Sequence, residues 1–213
     1  MPSLTKILLA VAFGAAYVVA PSALLTTVTS SRLPPSYGSN AKAIVQATEI
    51  TATNWRRHPK ISAIRNVVRS VNASLKRGRY RTEQREYSTC QDRYFTRRTI
   101  ARDAKATAAW YRDYFTYEDG GYEFNYYYDP AARLRFVLAY ASVANGTKEE
   151  HRIYFDETGK RIWEENRRVK GPGCPGCFPD PYPDDQLAFD AAKAFANDEG
   201  CEEIKPKPKR RAE

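Results

Sequence analysis

Between residues 58 and 78 the apolar positions recur at steps of three and four. Ile61, Ile64, Val68, Val71 and Leu75 fall on one helical face, while Arg65, Arg69 and Lys76 lie off it. His58-Pro59 opens this segment with proline at a first-turn position, and Gly78 closes it. The pattern predicts a helix over residues 60–77 that packs across a sheet. From about Tyr80 to Val169 the period changes to two. Tyr122, Phe124, Tyr126 and Tyr128 alternate with Glu123, Asn125, Tyr127 and Asp129. Leu134, Phe136, Leu138 and Tyr140 alternate with Arg133, Arg135, Val137 and Ala139, and His151, Ile153 and Phe155 with Arg152 and Tyr154. Each run is a half-buried strand, and residues 92–100 and 107–116 add two more. Turn signals separate them at Asp119-Gly120-Gly121, Asp129-Pro130-Ala131, Asn145-Gly146 and Asp156-Glu157-Thr158-Gly159. Short loops between alternating strands predict an antiparallel meander.

Beyond the meander the grammar changes. Residues 171–183 hold five prolines and three glycines and exclude regular structure. Asp184 or Asp185 is then expected to cap a helix running to Glu199 and ending at Gly200, with Leu187, Ala191 and Phe195 as its apolar stripe. Residues 202–213 read as a disordered basic tail, because alternating Lys-Pro buries no apolar surface. At the other end, Lys6 is the only charged side chain before Arg32, and an apolar run from Ile7 to Leu25 follows it. That arrangement reads as a secretory signal peptide over residues 1–25, or as an uncleaved membrane anchor, since the run is long enough to span a bilayer. Residues 26–58 read as a linker, with a weak helix over 41–55. Residues 59–201 are expected to form one α+β domain: an N-terminal amphipathic helix on an antiparallel β-meander, with a disulfide-tied C-terminal helix.

Composition adds compartment and partner chemistry. The chain has 213 residues and a formal net charge of +9. That balance favours anionic partners, namely nucleic acid, phospholipid head groups, acidic glycans or lipopolysaccharide, without choosing among them. Fifteen tyrosines suit sheet surfaces where the ring packs and the hydroxyl stays wet.

Two hairpins share a weak repeat. Tyr127-Tyr128-Asp129 is followed by Arg133-Leu134, and Tyr154-Phe155-Asp156 by Lys160-Arg161-Ile162. Asp at such a turn start bonds the backbone ahead of it, so the repeat is hairpin grammar rather than a site. Leu75-Lys76-Arg77-Gly78-Arg79-Tyr80, Trp110-Tyr111, Tyr126-Tyr127-Tyr128-Asp129, Leu134-Arg135-Phe136-Val137 and Ile153-Tyr154-Phe155-Asp156-Glu157-Thr158-Gly159-Lys160 follow in order. Together they resemble a group of uncharacterised bacterial exported proteins over residues 60–168. The resemblance implies an exported α+β domain and transfers no catalytic residue.

Candidate chemistry is sparse. Cys90, Cys174, Cys177 and Cys201 are an even count in an exported body, which predicts two disulfides. The expected pairing joins Cys174 or Cys177 to Cys201 and leaves the other for Cys90; a bridge within Cys174-Pro175-Gly176-Cys177 is the alternative. A redox dithiol would want a helix after the C-x-x-C, and zinc would want a second C-x-x-C; neither follows. The chain has two histidines, which excludes a His-rich metal centre. His58 reads as a helix cap and His151 as a satisfied strand residue beside Ile153 and Phe155. Glu164-Glu165 beside Trp163 suggests sugar chemistry, but adjacent strand residues face opposite sides. No phosphate loop, dinucleotide fingerprint, zinc-protease motif or nucleophile elbow occurs. Aromatic and basic residues interleave on the predicted strands, so Arg93, Phe95, Arg97, Tyr127 and Tyr154 mark a possible binding surface. Export argues against nucleic acid as its ligand.

The expectation is therefore a non-enzymatic periplasmic or secreted protein with a binding role, without metal or cofactor. Its partner would be an anionic envelope component or an exported protein, with the membrane within reach through residues 7–25. The alternatives are an inhibitor or immunity-like protein acting on an exported enzyme, and an envelope enzyme.

Overall fold

The computed structural model describes residues 49–205. The targeting segment, most of the linker, the start of the weak helix at residue 41 and the end of the basic tail lie outside the described residues. Of the weak helix, what is described is a turn and a 3-10 helix, Trp55–Arg57. Among the described residues no helix is long and apolar enough to cross a membrane.

Helix α1 runs Pro59–Lys76. Pro59 sits in its first turn, and the His58 ring accepts the Lys60 N–H at 3.2 Å, which satisfies one of the donors a helix start leaves open. Gly78, at φ +64°, ends it in the left-handed conformation. There Gly78 N donates to Leu75 O and Arg79 N to Ser74 O, the paired closure that glycine permits at no steric cost. Ile61, Ile64 and Val71 are buried, and Val68 and Leu75 pack partly buried beside them, as the stripe predicted.

Seven strands follow as one meander: β1 (Arg81–Cys90), β2 (Phe95–Arg102), β3 (Ala108–Tyr117), β4 (Gly120–Tyr128), β5 (Leu134–Val143), β6 (Lys148–Phe155) and β7 (Arg161–Lys170). A short β8 (Cys201–Glu203) returns to pair with β1. The result is one eight-stranded antiparallel sheet of order β7-β6-β5-β4-β3-β2-β1-β8. At one end of the sheet three hairpin turns use the same device. Asp103, Asp129 and Asp156 each accept two backbone N–H groups, two and four residues ahead, at 2.9–3.1 Å. The aspartate repeat is thus turn grammar, used three times.

Because β7 and β8 lie at opposite edges, the chain between them must cross the whole sheet. Residues 171–200 form this strap. It covers one face, while α1 covers the other above β4, β5 and β6. The central strands are therefore buried on both faces: Phe124 through Tyr128 are all buried, where alternation alone predicted one wet face. Tyr126 and Tyr128 lie under the strap, and Tyr127 lies under α1.

The strap corrects two expectations. The disulfides are Cys90–Cys201 and Cys174–Cys177: the alternative bridge within the Pro-Gly loop forms, and the expected bond from that loop to Cys201 does not. Cys90 and Cys201 are directly opposed where β8 pairs with β1, and a tight turn with Cys177 N donating to Cys174 O brings the other two together. The C-terminal helix is also shorter than residues 184–199. A 3-10 turn, Asp184–Gln186, precedes a six-residue helix α2, Ala191–Ala196. Asp190, rather than Asp184 or Asp185, caps it through the Ala192 and Lys193 amides. Between these two elements the chain stays extended at Leu187, and the Tyr128 hydroxyl takes the Ala188 carbonyl. The stripe survives without the long helix, since Leu187, Ala191 and Phe195 are all buried.

Candidate functional site

The strap does not lie flush on the sheet. Between it and the ends of β3 and β4 a cavity of about 680 Å³ remains, within the usual range of small-molecule sites, about 300–1,000 Å³. Strand alternation aims Asp113, Phe115 and Tyr117 of β3 and Tyr122, Phe124 and Tyr126 of β4 into it. The register sets Phe115 opposite Tyr122 and Asp113 opposite Phe124. The rings stack in sequence: Phe115 on Tyr122 at 5.5 Å, Phe115 on Phe124 at 6.0 Å and Phe124 on Tyr126 at 6.1 Å between centroids. Tyr182 of the strap faces them, 5.6 Å from Phe124, and Pro175, Gly176 and Pro179 form the outer lip.

Arg93 enters from the tight turn between β1 and β2. Its guanidinium lies 3.7 Å from the Phe115 ring centroid, a cation over a π face. Its Nη1 reaches Asp113 Oδ2 at 3.6 Å, an ion pair too long for a hydrogen bond. Arg98 flanks Asp113 from β2, Nε to Oδ1 at 3.9 Å. Arg98 is otherwise engaged, donating to Asn197 O and, at 3.7 Å, to Cys90 Sγ. Asp113 Oδ1 and Arg93 Nε, both buried, have no hydrogen-bond partner among the described residues. Burial pushes the Asp113 carboxyl above its ordinary range, against the pull of Arg93 and then Arg98. It also pushes the Tyr182 phenol up to about 12 and raises Tyr122, so both rings stay neutral in use.

The strap is held over this cavity by a polar latch on β6 and β7. His151 is buried, with Nε2 2.6 Å from Glu164 Oε1 and its other nitrogen on Asn166 Oδ1. Glu164 Oε1 also accepts the Tyr182 amide at 2.8 Å, and Arg161 donates to the Tyr182 carbonyl at 2.5 Å. Glu149 accepts the Cys174 amide at 2.9 Å, and the Tyr122 hydroxyl bonds Cys177 O at 3.3 Å. Phe178 plugs the centre, 5.1 Å from His151 and 5.8 Å from Tyr122. His151 and Glu164 are thus spent on positioning the strap. Glu165 turns to the other face and pairs with Arg152 at 3.6 Å.

The five residues proposed from sequence as one surface go to three places. Arg93 reaches the cavity. Phe95 and Arg97 lie on the other face, beyond α1, where Arg97 pairs with Glu86 at 2.8 Å and Phe95 meets Tyr114 at 6.2 Å. Tyr127 and Tyr154 are buried beneath α1, Tyr154 packing on Phe136 at 4.8 Å. They offer no open surface. Asp113, the residue that reasoning missed, had a signal: a carboxylate set in the run Tyr111, Phe115, Tyr117 at period two. A charge inside an apolar stripe is the informative exception. Among the described residues no group of three or more His, Cys, Asp or Glu side chains is placed to hold a metal. Comparisons with protein-family models, with curated proteins and with solved structures return no match, and none bears on the resemblance to exported proteins.

Proposed function

We propose that this chain is an exported, non-enzymatic binding protein whose ligand, a small molecule carrying at least one ring, lies in the cavity under the strap. One observation carries the proposal: a stack of aromatic faces beside two partly buried charged side chains, Asp113 and Arg93, that line the cavity and make no side-chain hydrogen bond among the described residues. Polar groups withdrawn from water are normally satisfied, and leaving a buried one unpaired costs about 1–3 kcal/mol. A ligand that pairs with them recovers part of that cost. Export is supported by the N-terminal apolar run and by two disulfides. The groups on the lining support binding: burial keeps the Tyr122 and Tyr182 phenols neutral, and the Asp113 carboxylate is flanked by two arginines.

The test is a titration of the oxidised chain with a panel of ring-bearing small molecules, followed by NMR on the ring protons of Phe115, Tyr122, Phe124 and Tyr182. Binders should shift these four rings together and leave Tyr127 and Tyr154 unmoved. Tyr182→Ala should weaken such a binder about three- to tenfold, the worth of one aromatic contact. A panel with no member that shifts these rings refutes the proposal.

A further inference from the structure

We infer that the ligand of this cavity is a sugar ring bearing a carboxylate; the inference rests on the binding role proposed above and names its ligand class. The first argument is charge. Arg93 and Arg98 face the single carboxylate of Asp113 at the buried end of the cavity, so two cations meet one anion there. Asp119, the other carboxylate on the lining, is exposed at the rim, where water screens it. A buried excess cation calls for an anion.

The second argument is the state of Arg93. The guanidinium carbon sits 3.7 Å from the Phe115 ring centroid, so the ring holds the group in place by one contact while its N–H donors stay unpaired. Among the described residues its side chain makes no hydrogen bond, its only polar contact being the 3.6 Å ion pair with Asp113. A planar carboxylate fits such a fork with two parallel N–H···O bonds.

The third argument separates sugars from other acids. The Asp113 carboxylate accepts no hydrogen bond among the described residues, its two arginines standing at 3.6 and 3.9 Å, so a ligand that donates one next to its anionic group fits it. A ring hydroxyl beside the carboxylate does this; an unsubstituted aromatic acid such as benzoate has nothing to donate. The walls agree, since Tyr117, Tyr122 and Tyr182, each partly exposed on the lining, offer ring surface on which the C–H side of a pyranose can lie. A neutral sugar would satisfy Asp113 and the rings but leave Arg93 open. A carboxylate-bearing sugar satisfies all three.

The experiment compares three probes on the oxidised full chain by NMR titration: methyl β-glucuronide, methyl β-glucoside and benzoate. The glucuronide should bind at least about tenfold more tightly than the other two, the worth of one charge-assisted pair. Arg93→Gln should bring the ratio of glucuronide to glucoside affinity down to about one. Arg93→Lys, which keeps the charge and loses the fork, should fall between. A glucoside that binds as well as the glucuronide, or a benzoate that binds better, overturns the acidic-sugar assignment and leaves the binding role standing. A preference for the glucuronide that survives in a folded Arg93→Gln chain overturns the role of Arg93. If Arg93→Gln does not fold, the wild-type ranking of the three probes still decides. Binding of none of the three, with ring shifts from other panel members, rejects the sugar alone; silence of every ring-bearing compound rejects the cavity as a site.

Discussion

The two faces of this sheet are covered in different ways. On one, a regular helix lays an apolar stripe on an apolar surface. Trp55, Ile61, Ile64 and Val71 pack with Tyr127, Phe136 and Tyr154, and both Ile61 and Ile64 are 0% exposed. On the other, an irregular strap is pinned by hydrogen bonds, a few rings and the Cys90–Cys201 bond at its end, and it leaves a cavity behind. A helix repeats its contact every turn and closes on its partner without gaps. A strap rich in proline and glycine makes contact where individual side chains reach and leaves space between them. The helix side is therefore the tightly packed face, and the strap side is the one to which the binding role is proposed.

The strongest way to break this contrast is Ile64→Asp. A charge placed at a fully buried position should cost more than about 4 kcal/mol and unfold the domain at room temperature. Circular dichroism against temperature checks it; an unchanged midpoint would mean that α1 does not hold the sheet.

A smaller effect separates the two bonds of the strap. Cys90–Cys201 spans a sequence separation of 111 and Cys174–Cys177 one of 3. On the chain-entropy estimate the first contributes about 4–5 kcal/mol and the second about 2 kcal/mol. Chemical denaturation of the Cys90→Ser/Cys201→Ser and Cys174→Ser/Cys177→Ser chains should rank them in that order. The second pair should also loosen the lip of the cavity and weaken ligand more than it lowers stability. The reverse ranking would make the lip, not the edge staple, the main restraint.

The smallest effect concerns the strand that serves both covers. β7 sends Glu164 to the strap and Trp163 to the helix side, where it stacks on Trp55 at 5.6 Å. Asp156 sets the turn into β7, and the Thr158 hydroxyl, at 2.6 Å, leads the hydrogen bonds that hold its carboxyl below the ordinary range. A depressed folded-state value stabilises above the unfolded value of about 3.9 and loses that contribution as pH falls through the folded value. Asp156→Ala should therefore lower the melting point at pH 7, by less than either variant above, and the gap should close toward pH 2. A gap independent of pH would assign the loss to the turn backbone rather than to the carboxylate.

Much of the architecture was legible in the residues. The stripe from Ile61 to Leu75, the His58-Pro59 start and the Gly78 stop located α1 to within a residue, because helix ends are local events. The alternating runs and Asp turns located β3 to β6, because hairpins are closed by neighbours in sequence. Strand β1 was not assigned, since Arg81-Thr82-Glu83-Gln84-Arg85-Glu86 carries no apolar alternation and is a strand only because β2 pairs with it. The site was barely legible. Arg93 was singled out for the wrong company, and Asp113 was passed over, because what unites them is a register between strands and a strap from far along the chain.

The sequence by itself determined the local elements, the turn devices and an even set of cysteines, since these depend on backbone propensity and on periodicity within a few residues. The tertiary structure decided three things. It chose the disulfide partners, because only the pairing of β8 with β1 sets Cys201 against Cys90. It shortened the last helix, because Leu187 and Ala188 are held extended over Tyr128. It made the cavity, because a chain leaving one edge of an eight-stranded sheet and ending at the other must cross a face it cannot fill. The contacts that decide these points join residues far apart in sequence, and no local pattern encodes them.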